Sequence, residues 1–398
     1  MKNEKFTLSD VDYVVFGVTF FVSAGIGLYF QLTSKKKTSE EYLLAGKDMS
    51  VLPVAFSLMA TCMSTTTFIG VPTEMYLYGT NMAFINLGFT IGSIIALYIF
   101  LPIFFANDVS TAYEYLEKRF GKTARRLMSA MFALQWLLFT AASLYAPALA
   151  LSAVTNLSMN MSIILMGVVC TFYCTLGGMK AVLWTDVFQA ILMYAALFAI
   201  IVKGLLLLGG IGNVFTIANE GGRLIIPRFT FDPEVHYSMF NVFFQGAVIS
   251  MSLYAGSQVQ VQRLMALKSL NKSKLAAYLS IPMVVSFQLL CCLCGLIIYA
   301  YFRLCDPLTS PDSPIESADQ QKKVSNFIPS LSDIVINFVW GLMFGTLCWE
   351  CLSLLLLLDI SSRWLSSSRS GGWSQPGSVF ARLLVLPKQT KRVQFSGC

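Results

Sequence analysis

The chain has 398 residues, of which 56% are hydrophobic and only 12% are charged, and its mean hydropathy is +0.67. A soluble globular domain needs more charged surface than this, so the composition excludes that class and indicates an integral membrane protein. A net charge of +7 would suggest nucleic-acid binding in a soluble protein, but here the basic residues lie in loops between apolar runs. We therefore expect a lipid bilayer, and not nucleic acid, around the chain.

The apolar runs are long enough to cross a membrane as helices. A bilayer core about 30 Å thick needs about 20 mostly apolar residues per span. The sequence predicts about nine such spans, at 11–31, 52–71, 83–105, 127–154, 160–177, 181–208, 239–259, 276–302 and 334–358. The first run is long and no cleavage site follows it, which favours a retained leading helix over a signal peptide.

Basic residues in the loops predict the orientation. Lysine and arginine are enriched in the cytoplasmic loops of membrane proteins. In this chain they concentrate in the odd-numbered loops, as Lys35, Lys36, Lys37, Lys47, Lys118, Arg119, Lys122, Arg125, Arg126, Arg263, Lys268, Lys272 and Lys274. This places the amino terminus outside and the carboxyl terminus in the cytoplasm. Asn156 and Asn160 then lie in a short external loop with the acceptor pattern for N-glycans, and their occupancy stays open because the bilayer is close.

The second span has a polar, β-branched cluster at mid-membrane, in residues 60–67. A helix is weakened there, and freed carbonyl groups survive in hydrocarbon only where they line a cavity or bind a cation. The alternative is that the hydroxyl groups bond back to the preceding turn. We favour the ion site, because another span carries a second polar intrusion.

That second intrusion is Asp186, a carboxylate near the start of an apolar span. An ionisable group at the centre of a spanning helix costs about 3 kcal/mol, so it usually faces a wet cavity and handles ions or substrate. A third intrusion runs from Phe244 to Arg263 in the seventh span. If the second span opens one five-helix repeat, the seventh opens an inverted copy, and the two spans face each other. The pattern indicates a transporter.

Other chemistries find little support in the residues. The ten cysteines show no metal-ligand spacing, and the sequence has neither a catalytic triad nor a phosphate-binding glycine loop. We therefore predict no enzyme activity, no cofactor and no transition-metal site. An ion channel is disfavoured because no filter-like repeat occurs. Most cysteines should be small packing residues, Cys305 should lie in an external loop, and His236 should be a solvated surface residue.

Five motifs resemble the sodium/solute symporters, in particular the animal branch of sodium-coupled monocarboxylate, multivitamin and iodide transporters. They are YEYLEKRF at 113–120, YAPALAL at 145–151, VCTFYCTLGG at 169–178, KAVLWTDVFQ at 180–189 and QVQVQR at 258–263. The resemblance covers residues 9–320. It implies an all-α multi-pass membrane protein with a leucine-transporter-like inverted-repeat bundle, in which sodium entry drives uptake of a small solute.

The resemblance also implies the site residues. Backbone carbonyls of Ala60 and Met63 would bind the main sodium ion, and Asp186 would stabilise that site from a neighbouring helix. Additional contacts to a cation or substrate are implied for Ser64, Thr67 and Tyr145. The cavity for the solute would be lined by Tyr254 and Gln258. Sodium is then the coupling ion and a small organic anion such as a monocarboxylate the substrate, with biotin- or pantothenate-type vitamins or iodide as alternatives.

The motifs of that branch stop after residue 320, so the bundle is expected to be truncated after about nine helices. We expect an extracellular amino terminus and leading helix in 1–31, a transporter core in 32–320, a divergent segment with a last span bearing Glu350 in 321–360, and a disordered cytoplasmic tail in 361–398. The competing hypothesis is a non-transporting membrane protein, or a faulty gene model, that associates with full-length relatives or with itself. The family implies the plasma membrane as its location.

Overall fold

The structure is a computed structural model, and it describes residues 10–33, 44–107, 109, 111–154, 158–232, 235 and 237–303. The expectations for 321–360 and 361–398 lie outside these residues, as do those for Asn156, His236 and Cys305. All of the described residues belong to one unit of the chain, Met1–Leu355.

The described residues are almost entirely helical, as the apolar runs predict. The α-helices are α1 (Asp10–Thr33), α2 (Val51–Cys62), α3 (Thr65–Tyr78), α4 (Ile85–Ala106), α5 (Ala112–Phe120), α6 (Lys122–Val154), α7 (Met159–Leu208), α8 (Ile211–Glu220), α9 (Met239–Met251), α10 (Gln258–Met265) and α11 (Leu270–Phe302). In this part of the chain β-pairing is limited to an isolated bridge between Arg228 and Ser238. Helices satisfy their backbone hydrogen bonds internally, which a hydrocarbon environment requires.

Four helical stretches among the described residues are long and apolar enough to cross a bilayer. They are Gly70–Ala106, Gly178–Leu208, Met239–Gly256 and Leu270–Phe302. Shorter apolar helices are Phe21–Phe30 and Val51–Cys62. The predicted all-α, multi-pass membrane class is confirmed.

The 50 residues of α7 form two helices joined at a kink at Gly178 (φ 60°, ψ −167°). A positive φ of this kind is readily adopted only by glycine. The kink lies between the two spans that the sequence predicts at 160–177 and 181–208. The chain therefore passes between these spans through a single bent residue.

Helices α4 and α9 pack unusually closely because glycines lie at their contact. A Cβ atom on Gly88 would meet the Phe243 carbonyl oxygen at 1.9 Å, and one on Gly246 would meet the Ile85 carbonyl oxygen at 2.2 Å. Small residues at such positions let two backbones approach in a membrane. This close pair places the start of the seventh span against the third.

Candidate functional site

The first core helix is broken between α2 and α3. Met63 and Ser64 are extended (φ −104°, ψ 123° and φ −117°, ψ 168°), and Met63 N–H donates to the carbonyls of Met59 and Ala60 at 3.2 and 3.3 Å. Ser64 caps α3: its Oγ accepts from Thr67 N–H at 3.3 Å, and its own N–H donates to Thr67 Oγ1 at 3.4 Å. The polar cluster therefore ends one helix and starts another, as its composition predicts.

A second break lies in the seventh span. After α9 the chain forms a π-helical turn, Ser252–Gly256, and Ser257 is then extended (φ −78°, ψ 119°) before α10 begins. Wide π turns within helices occur frequently at functional sites. The sequence predicts the growing polarity of this span; Gly256 followed by Ser257 was the signal that could have predicted the break itself.

The two breaks lie side by side. Gln260 Nε2, on α10, donates to the Leu58 carbonyl at 3.4 Å and to Cys62 Sγ at 3.2 Å, both on α2. Tyr254, in the π turn, is buried beside Cys62 and shares a hydrogen bond of 2.8 Å with Ser280 on α11. The interrupted segments of the second and seventh spans thus form one polar region inside the bundle, as the inverted-repeat interpretation requires.

Asp186 lies at the end of this region nearest the start of α2, and it is ion-paired. Its Oδ2 accepts from Arg263 Nη2 at 2.9 Å and from Ser57 Oγ. Arg263 Nε also donates to Ser57 Oγ, and Nη1 donates to the Val259 carbonyl at 3.4 Å. Both charged side chains are buried, with exposures of 3% for Asp186 and 0% for Arg263. The group joins α2, α7 and α10 and carries no net charge.

Arg263 was not predicted to be the partner of Asp186, because its sequence position indicated a cytoplasmic helix end. One signal was present. Ionisable residues within spanning segments usually pair with one another. Asp186 and Arg263 carry opposite charges, one in a predicted span and the other at the end of the polar stretch of a different span. The expectation that Asp186 faces a wet cavity is not met in this structure, because the carboxylate is enclosed by its two partners.

Two glutamines one helical turn away from this ion pair have unmet hydrogen-bonding capacity. Gln189, on α7, is 2% exposed, and neither its Oε1 nor its Nε2 has a partner among the described residues. Gln260 Oε1 is likewise buried and without a partner in this part of the chain. Buried amides are nearly always hydrogen-bonded, so each of these two amides marks a place where water or a ligand would be accommodated. Both residues lie in the motifs at 180–189 and 258–263, but neither was predicted to be a site residue.

At the other end of α10 the bundle is packed against α5. Gln258 Oε1 accepts from the Ala112 N–H at 2.9 Å, in the first turn of α5. An apolar cluster lies around this contact and comprises Leu44, Phe104, Val109, Val261 and Met265. Helix α5 is amphipathic, since Tyr113 is buried while Lys118 and Arg119 are exposed. Burial also raises the pKa of Tyr113.

The predicted site residues are thus only partly assembled in one place. Ala60, Met63, Ser64 and Thr67 meet at the first break, and Tyr254 lies beside it. Two others are elsewhere. The side chain of Gln258 is directed to α5, and Tyr145, on α6, is 56% exposed. Among the described residues no group of three or more His, Cys, Asp or Glu side chains could hold a metal ion.

Comparison with known proteins gives these features a family. The model of the sodium:solute symporter family matches residues 42–366, extending beyond residue 320. A Drosophila melanogaster protein assigned as a sodium-dependent multivitamin transporter is 43% identical over 79% of this chain and 52% of its own length. Human sodium-coupled monocarboxylate transporter 1 is 37% identical over 75% of this chain and 49% of its own length. The chain therefore spans about half the length of the curated relatives that it matches.

The fold is similar to a solved structure of a Na⁺-coupled sialic acid symporter in a substrate-bound, outward-open state. The TM-score is 0.79 at 20% sequence identity, and the match covers 92% of this chain and 77% of that chain. At this identity the likeness concerns the fold, and it confirms the predicted leucine-transporter-like architecture. Family and fold neighbours are membrane transporters and not enzymes, and the chain belongs to the sodium:solute symporter family.

Proposed function

We propose that this chain is the working core of a sodium-coupled symporter for small organic anions of the monocarboxylate class. The observation that carries the proposal is the side-by-side arrangement of the two helix breaks, joined by Gln260 and Tyr254. Secondary transporters with inverted repeats bind ion and solute at such breaks near the middle of the bilayer. We place the protein in the plasma membrane with its amino terminus outside, its carboxyl terminus in the cytoplasm, and the α5 end of the bundle on the cytoplasmic side.

The ends of the broken helices support a cation on one side of the break. Helix α2 ends at Cys62, and its last carbonyl groups carry the negative end of the helix dipole. Ala60 and Met63 would offer carbonyl oxygens there, and Ser64 and Thr67 would offer hydroxyl oxygens. Oxygen ligands of this type suit a hard cation such as sodium.

The opposite helix ends support an anion. The amino-terminal turns of α3 and α10 point their N–H groups toward the break, and helix N-termini attract carboxylates. The hydroxyl of Tyr254 lies at the same level and would add a hydrogen bond. A small carboxylate therefore fits this region. Monocarboxylates and biotin- or pantothenate-type vitamins both carry such a group, and the relatives include transporters of each class. We put monocarboxylates first and keep the vitamins and iodide as alternatives.

We keep Asp186, Tyr145 and Gln258 in the proposal with roles away from direct ligation in the conformation described. Ser57, which bonds to Asp186, is three residues from Ala60 on α2, a rise of about 4.5 Å. Asp186 would therefore act on the sodium site by fixing α2. Tyr145 and Gln258 would reach the cavity only after the helices rearrange, as alternating access requires.

Ligand binding by the purified full chain in lipid nanodiscs tests this proposal. Sodium should tighten the binding of radiolabelled lactate, and lactate should tighten the binding of ²²Na⁺ by the same factor, because linkage is reciprocal. Thr67→Val removes a hydroxyl while keeping the shape of the side chain, and it should weaken sodium binding. Thr216→Val is the matched control, since Thr216 is exposed on α8 and bonds only to its own helix. Lactate binding that is indifferent to sodium would refute the proposal.

The alternative of a non-transporting membrane protein makes a different prediction. In the same nanodiscs it would bind neither ligand, and in cells it would alter the surface amount or uptake rate of a co-expressed full-length monocarboxylate transporter. Such association would also be the way to detect homo- or hetero-oligomers. Pantothenate and iodide, tested as competitors of lactate, separate the substrate alternatives.

A further inference from the structure

The turn after α8 presents an arginine in a fixed position, at the end of the bundle opposite α5. Arg223 N–H donates to the Ala218 carbonyl at 2.8 Å, and the Arg223 carbonyl accepts from Thr80 N–H at 2.9 Å. Thr80 Oγ1 also accepts from Ile225 N–H at 2.8 Å. A Cβ atom on Gly79 would meet the Arg223 carbonyl oxygen at 2.3 Å. The arginine backbone is therefore clamped to the end of α3 and is not part of a loose loop.

The guanidinium group of Arg223 makes a cation–π contact and retains unmet hydrogen-bonding capacity. Its Cζ atom lies 4.8 Å from the centre of the Tyr299 ring, on α11. Its Nε is buried and has no acceptor among the described residues. A cation–π contact of this kind restrains a guanidinium group, and N–H groups that remain without acceptors can bind a planar oxyanion.

The carboxylates that the structure describes nearby are already engaged with other groups. Glu74 accepts a hydrogen bond of 2.8 Å from the Tyr237 hydroxyl, and Glu220 pairs with Arg303 at 2.6 Å. Burial, and this bond to Glu74, raise the pKa of Tyr237, which keeps its hydroxyl in the donor form. Within the described residues, Arg223 thus contacts an aromatic ring and is not ion-paired with a carboxylate.

The position of Arg223 connects it to the central site. Tyr299 makes an edge-to-face contact with Tyr76, at a centroid distance of 5.7 Å, and Tyr76 lies on the helix that Ser64 caps. Twelve residues separate Ser64 from Tyr76, which corresponds to about 18 Å along α3. Arg223 therefore lies near the far end of α3, well away from the break that Ser64 borders.

We propose that Arg223, supported by Tyr299, is an outer binding site for a small monocarboxylate, which collects the anion before it reaches the helix breaks. The inference rests on the proposed function for its substrate class and for the external side of the membrane. Two N–H groups of the guanidinium bind the two carboxylate oxygens in parallel, a geometry that lysine cannot supply. A fixed positive charge at this end of the bundle also raises the local concentration of anions.

The test uses a cysteine reporter beside the site in the full chain, in sodium-free choline buffer. Leu224→Cys places a thiol at an exposed neighbouring position, and its reaction rates with an anionic and a cationic methanethiosulfonate reagent are compared. Adding Arg223→Gln should lower the ratio of anionic to cationic rates about fivefold at low salt, as expected for loss of one charge at close range. Lactate should slow the reaction of the thiol with the anionic reagent, whereas neutral lactamide should not.

Two further variants make the outcome specific. Arg223→Lys keeps the charge and should keep the rate ratio. It should lose the protection by lactate, because lysine cannot donate two parallel N–H groups to a carboxylate. Arg228→Gln removes the same charge from an exposed position on the same loop and should leave lactate protection intact. Thermal unfolding of each variant verifies that it is folded.

The outcomes are separable from those of the proposed function, since no sodium and no transport are involved. Protection by lactate that requires Arg223 supports the site even if sodium coupling fails at the breaks. Protection that is equal in Arg223→Gln, or that is matched by chloride at the same concentration, overturns the carboxylate site.

Discussion

The buried pair between Asp186 and Arg263 allows a quantitative prediction about stability. Both side chains are enclosed, and Ser57 bonds to each of them. Removing one partner leaves an uncompensated buried charge, which costs about 3–5 kcal/mol, whereas replacing both by apolar residues is often neutral. We therefore expect Asp186→Asn and Arg263→Met each to destabilise the fold strongly, and the double variant Asp186→Leu/Arg263→Met to recover most of the loss.

Thermal unfolding of the detergent-solubilised chain measures this effect. A loss of 1 kcal/mol lowers the unfolding midpoint by about 2 °C in a chain of this size, so each single variant should unfold about 6–10 °C earlier. Arg303→Gln provides the control, because Arg303 pairs with Glu220 at 2.6 Å but is 36% exposed. An exposed pair contributes about 0–1 kcal/mol, which predicts a shift of no more than about 2 °C.

Single variants of the buried pair that unfold within about 2 °C of the parent would exclude a large cost of leaving one charge unpaired. A double variant that loses the sum of the two single effects would show that the two charges are not energetically coupled.

Gly88→Ala should lower the unfolding midpoint, since its Cβ would meet the Phe243 carbonyl oxygen at 1.9 Å; Gly70→Ala, with open space around it, should leave the midpoint unchanged or raise it, by helix propensity. Equal effects of the two would show that α4 and α9 are not in close contact. A hydrogen bond from Arg125 holds the pKa of Glu117 below its ordinary value. The pair therefore stabilises the fold at pH values above the unfolded pKa of about 4.3, and this stabilisation is lost as the pH falls through the lower folded pKa. The difference in midpoint between the parent and Glu117→Gln should therefore shrink as the pH falls below about 4.3, and a difference that is constant with pH would exclude the mechanism.

Local composition was sufficient for the helical elements and for the first break. A run of about 20 apolar residues has no alternative to a helix in hydrocarbon, because each backbone N–H and C=O must be satisfied within the segment. The break at Met63 and Ser64 follows from hydroxyl-bearing residues that cap a new helix better than they continue an old one. The amphipathic helix α5 follows from its own periodicity. These features depend on residues close together in the chain.

The partners of the site residues were decided by tertiary structure. Asp186 is 77 residues from Arg263 and 129 from Ser57, and no local pattern specifies which buried charge meets which. Gln258 accepts a hydrogen bond from a backbone N–H of α5, 146 residues earlier in the chain. A glutamine at this position is as compatible with a cavity wall as with such a contact, so the residue type alone does not decide between them. Composition and periodicity report what each segment must bury, whereas pairing between segments depends on how the helices cross, and that depends on the packing of the whole bundle.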